Sequence, residues 1–112
     1  MREGTTPTIR CNINEYDLTE VTYFITLCNS KNEKKTFTNT DENVVVSYIE
    51  GVSHFDIYLT QADTFWLGTG VVTIQIRWID SNNEAYATDE ASFNVRPVML
   101  KQVIEYSGGG HE

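Results

Sequence analysis

The chain reads as an all-β protein, an antiparallel sandwich of about seven strands with one short helical turn. Three observations carry this. Apolar residues recur at a period of two in segment after segment. Clusters of Asn, Asp, Ser and Gly separate those segments. No stretch repeats apolar residues at helical spacing for more than a turn or two. Strict alternation marks a strand with one face in a core and one in water, and turn residues at short intervals mark a sandwich.

The N-terminal third supplies three strands. Ile9, Cys11 and Ile13 alternate in the first. Val21, Tyr23, Ile25 and Leu27 share one face of the second, with Thr22, Thr26 and Cys28 opposite. The run Cys28-Asn29-Ser30-Lys31-Asn32-Glu33 is a polar turn, after which Lys34 to Thr38 returns as a short strand. Val44, Val46 and Tyr48 alternate up to a Glu50-Gly51 turn, and Phe55, Ile57 and Leu59 alternate after it. Thr60-Gln61-Ala62-Asp63 then places a hydroxyl three residues before an acid, the arrangement of a capping box. The helical turn it starts is expected to cover one end of the core with Phe65, Trp66 or Leu67.

Gly68-Thr69-Gly70 opens the clearest strand, with Val72, Ile74, Ile76 and Trp78 on its inner face. Asp80-Ser81-Asn82-Asn83 suits a tight hairpin, because Asn and Asp tolerate left-handed backbone and bond their own turn. The return strand runs from about Glu84 to Arg96, with Ala85, Ala87, Ala91, Phe93 and Val95 read as its apolar face. Asp89 interrupts that face, so a bulge or a change of sheet is expected near Thr88-Asp89-Glu90. Pro97 ends the strand because it cannot donate to a ladder. The boundaries are therefore a sandwich domain over 1–97 and a C-terminal docking segment with a Gly-rich tail over 98–112.

With 112 residues, 40% of them hydrophobic and 21% charged, the chain is sized and composed for one modest core. Sixteen acidic residues oppose eight basic ones, a formal net charge of −8. Such a surface repels nucleic-acid phosphates and anionic membranes. No apolar run is long enough to span a bilayer. The opening residues lack the apolar centre of a secretory leader, so folding in a cytoplasm is expected, and with it reduced cysteines at Cys11 and Cys28, although their pairing stays open.

Motifs that carry chemistry are missing. There is no Gly-x-Ser-x-Gly, phosphate loop or dinucleotide fingerprint. Two cysteines alone cannot make a zinc site. His54 lies on the strand face opposite Phe55, where it meets solvent, and His111 falls in the Gly-rich tail. Asp80 to Glu84 alternates oxygen ligands as a calcium loop does, but lacks the glycine and the distant glutamate. The adjacent acids Asp41-Glu42 and Asp89-Glu90 point apart on extended chain and read as solvated charge. No catalytic residue, cofactor or metal is expected, and the chain is not read as an enzyme.

Two surfaces remain as binding candidates. Ile9 at one end, and Val98, Leu100, Val103 and Ile104 at the other, are apolar and otherwise uncommitted, and are read as partner-docking residues. Tyr58, Tyr86 and Tyr106 fall outside the core pattern and are read as an exposed aromatic surface.

Certain segments also carry a resemblance: the opening Arg2-Glu3-Gly4-Thr5-Thr6-Pro7-Thr8, the run Leu59-Thr60-Gln61-Ala62-Asp63-Thr64-Phe65, the strand Gly70 to Trp78, and the hairpin into Ala85-Tyr86-Ala87-Thr88 with its Val/Leu/Ile tail. In this order they resemble small tail proteins of phages and prophages of Gram-positive bacteria. They are similar to the N-terminal domain of upper baseplate proteins, which attaches receptor-binding parts to the tail. The resemblance implies an immunoglobulin-like sandwich and a role in virion assembly through other tail or baseplate proteins, in a homo- or hetero-oligomer, after folding in the host cytoplasm. The chain has no coiled-coil stalk or receptor-binding head, so an adaptor role fits better than direct receptor binding. A sandwich that binds a host-surface glycan is the alternative.

Overall fold

The computed structural model describes residues 1–106. Eight strands and one helix follow one another as β1 (Thr8–Asn14), β2 (Thr22–Cys28), β3 (Lys34–Thr38), β4 (Val44–Ile49), β5 (Val52–Tyr58), α1 (Gln61–Leu67), β6 (Gly70–Ile79), β7 (Ala85–Ala87) and β8 (Ala91–Val95). They form two antiparallel sheets. One has the order β1-β5-β4, the other β3-β2-β6-β7, with β8 also on β6.

Inner faces alternate as the sequence implies. Tyr23, Ile25 and Leu27 of β2, Phe55 and Ile57 of β5, and Val72, Ile74, Ile76 and Trp78 of β6 are buried in a common core. Tyr23 meets Phe55 edge-on across the sandwich at 5.1 Å. The buried hydroxyl of Ser53 ties the β1–β2 loop to this core, accepting from the Leu18 amide at 2.9 Å and donating to the Tyr16 carbonyl at 2.6 Å. Leu18 is thereby held under the loop. The β4–β5 connection is a two-residue hairpin in which Glu50 and Gly51 both have positive φ, the backbone a type I′ turn needs.

The long return strand is divided in two, and this corrects its expected inner face. Trp78 faces Tyr86 and Arg77 faces Ala87, but Ile74 faces Ala91 and Val72 faces Phe93. One extra residue therefore enters between Ala87 and Ala91, which is a bulge. At the bulge the Thr88 hydroxyl replaces a carbonyl and accepts from the Ile76 amide at 3.1 Å. The insertion reverses side-chain parity. Ala91, Phe93 and Val95 keep the inner face, whereas Ala85 and Ala87 turn outward and Tyr86 turns in. Tyr86 stacks on Trp78 at 5.4 Å, with Tyr16 against both rings.

Candidate docking surface

One end of the sandwich gathers α1, the N-terminal residues and the C-terminal segment. The helix starts where the capping box places it. The Thr60 hydroxyl accepts from the Asp63 amide at 3.1 Å, and the Asp63 carboxylate accepts from the Thr60 amide at 2.9 Å. Burial pushes the Asp63 carboxyl up, but hydrogen bonds from the Lys35 ammonium and from Thr60 outweigh it and hold the group below its ordinary value. The Lys35 contact is 2.5 Å, and its ammonium also lies over the Phe37 and Trp66 rings. Leu67 is the helix residue that enters the core, while Phe65 and Trp66 are half-buried.

The N-terminus is stitched across this end. Arg2 bridges Arg96 in parallel, with Glu3 N–H donating to the Arg96 carbonyl at 3.0 Å and Arg96 N–H to the Met1 carbonyl at 2.8 Å. Gly4 then passes the Phe65 ring so closely that a β-carbon would lie 2.8 Å from its Cζ. Its φ of 73° is also in the left-handed region. The close approach to the ring, with the positive φ, favours glycine there.

The C-terminal segment lies over the same end. The Gln61 side chain imitates a neighbouring strand. Its Nε2 donates to the Ile104 carbonyl and its Oε1 accepts from the Ile104 amide, each at 2.8 Å. Lys101 forms an ion pair with the buried Glu3. A hollow of about 200 Å³ between Gly4, Phe65, Val98, Leu100 and Ile104 marks where the segment rests without filling the space beneath it. Leu100, Val103 and Ile104 remain more than half exposed, and Met99 is fully exposed.

Of the docking residues read from sequence, four of five thus lie on one segment at one end. Val98 is half-buried there. Ile9 does not join them as a free apolar end. It sits in β1 opposite Ile57 and packs against the core, because the N-terminal apolar residue belongs to a paired strand. The three tyrosines do not assemble into one surface. Tyr86 is half-buried, stacked on the buried Trp78, and neither Tyr58 nor Tyr106, though exposed, makes a ring contact among the described residues.

The remaining candidates have structural partners. His54 Nδ1 meets Asn12 Oδ1 at 2.6 Å on the outer face. Asp80 Oδ1 accepts from the Asn82 and Glu84 amides at 2.9 and 3.0 Å, which makes the calcium-like sequence a capped turn. Asp41 likewise caps its turn through the Thr38 amide. Cys11 and Cys28 are free thiols on different sheets, and burial pushes the Cys11 thiol up. His111 and the Gly-rich tail lie outside the described residues. Among the described residues no three His, Cys, Asp or Glu side chains gather in a way that would hold a metal ion, and no helix is long and apolar enough to cross a membrane.

No protein-family model matches the chain, and no curated protein matches it in sequence.

Proposed function

We propose that this protein is a non-enzymatic phage virion component, an adaptor of the tail or baseplate or a module that attaches receptor-binding proteins, working through protein–protein contacts at the α1 end. The observation that carries the reading is the C-terminal segment. It is held at defined points by Gln61 and Glu3, yet it presents Met99, Leu100, Val103 and Ile104 to solvent. Apolar side chains grouped on a positioned segment are what a docking partner would cover.

The immunoglobulin-like assignment belongs to the same proposal. The order β1-β5-β4 follows strands B, E and D of that sandwich, and β3-β2-β6-β7/β8 follows C′, C, F and G. The parallel bridge between Arg2 and Arg96 is then the remnant of a first strand beside the last. The inter-sheet disulfide of antibody domains has no counterpart, since β6 carries no cysteine to meet Cys11.

Deletion of residues 98–112 tests the docking role. Loss of incorporation into phage particles, with the sandwich still folded by circular dichroism, is the expected result. Undiminished incorporation would sink it.

A further inference from the structure

The four sheet edges are not alike. β3 carries Lys34 and Lys35, charges that deter pairing with a stranger. The β7–β8 edge is broken by the bulge and covered at its far end by residues 1–3. β1 shows solvent only Thr8, Arg10, Asn12 and Asn14 on its outer face. β4 has none of these protections. Its sequence is Val-Val-Val-Ser-Tyr-Ile, without charge, proline or bulge. Val45, Tyr48 and Ile49 are all exposed, Ile49 by 56%.

Its backbone is also open. Tyr58 N–H donates to the Asn43 carbonyl, so in the alternating ladder Val45, Ser47 and Ile49 bond β5. The amides and carbonyls of Val46 and Tyr48, and the carbonyl of Val44, then face away from the sheet, while the Val44 amide reaches only the Asp41 carbonyl at 3.4 Å. A strand of this composition with an unpaired edge is a template for another chain.

The charges around it select the occupant. Asp41 and Glu42 precede β4 and Glu50 follows it, within a chain of net charge −8. A second copy is a poor fit. Two-fold pairing centred on Val46 sets Glu42 of each copy opposite Glu50 of the other, and like charges directly opposite destabilise a strand pair. We propose that β4 accepts an extended segment of a different protein, apolar at alternate residues and flanked by lysine or arginine, which adds a fourth strand to the β1-β5-β4 sheet. The inference rests on the reading of the chain as a protein-binding module but not on the C-terminal segment, so the tail deletion and the experiment below fail independently.

The probe is a synthetic peptide of alternating valine and threonine with lysines at both ends, beside the same peptide with glutamates at its ends. Each is titrated into the full chain and followed by backbone amide NMR shifts. The lysine-flanked peptide is expected to bind, with shifts concentrated on residues 44–49, and the glutamate-flanked one to bind at least about tenfold more weakly. Tyr48→Pro removes an outward amide without touching the ladder to β5, and is expected to weaken binding about tenfold. Val45→Lys, which leaves the backbone intact, gives a second variant with the same expected direction. Equal binding of both peptides, shifts centred elsewhere, or binding indifferent to both substitutions would overturn the proposal. So would a dimer of the free protein that Val45→Lys dissolves, because that would make the second copy the occupant.

Discussion

β1 and β4 are the two edges of one three-stranded sheet, both paired to β5, and they meet solvent in opposite ways. β1 fills its outer face with polar side chains and engages them. Arg10 holds Asp56 through both carboxylate oxygens at 2.7 and 2.9 Å, and Asn12 meets His54. β4 leaves Val45 and Ile49 on the same face unpartnered. The sheet does not require either arrangement, since the same central strand supports both. The difference therefore lies in the side chains each edge presents: β1 shows polar groups, two of them engaged by β5, and β4 shows apolar ones that a partner strand could cover.

Removing what the edges share gives the largest effect. Phe55 is fully buried on β5 between them. Phe55→Ala is expected to cost about 3–5 kcal/mol in urea unfolding and to loosen both edges together. A small loss would mean that the two sheets are not held by the Tyr23–Phe55 contact region.

The guarded edge comes next. Arg10→Ala leaves the Asp56 carboxylate without its guanidinium and is expected to lower stability at neutral pH by a small, salt-sensitive amount. The loss should depend on pH with a fixed sign. The hydrogen bond from Arg10 holds the Asp56 carboxyl below its ordinary value. Its stabilisation is therefore complete above the unfolded carboxylate range, about pH 4, and fades as pH falls through the lower folded value. The wild type and Arg10→Ala curves should converge in acid, and parallel curves would contradict the pairing.

At the α1 end, Thr60→Ala removes one half of the capping box and should cost about 1 kcal/mol. Because α1 carries Gln61, the same variant should speed amide exchange at Ile104. Unchanged exchange there would show that the C-terminal segment does not depend on the helix. The smallest stability effect is expected from Val45→Lys, within about 0.5 kcal/mol, because it alters an exposed side chain of the open edge and no internal contact.

Much of the fold was legible because period-two alternation survives in every major strand. The β3 boundaries and the Thr60 capping box follow from local chemistry alone. The bulge was visible as a broken pattern at Asp89, but its effect on parity was not. Ala85 and Ala87 look apolar on paper, and only the register with β6 shows that Tyr86 is the residue turned inward. Ile9 misled for a related reason, since an apolar residue near a terminus does not reveal whether its strand is paired. The apolar outer face of β4 could be read from Val45 and Ile49. That β4 is an edge could not, because strand order depends on pairing between distant segments and not on local pattern.

Amide hydrogen exchange on the full chain, with and without the lysine-flanked peptide, separates the two edges of this sheet. In the free protein, the Val45, Ser47 and Ile49 amides should exchange slowly and those of Val46 and Tyr48 fast. With the peptide added, Val46 and Tyr48 should become protected while the outward amides of Arg10 and Asn12 on β1 stay fast. Protection that appears on β1, or on neither edge, would contradict the assignment of β4 as the open edge of this protein.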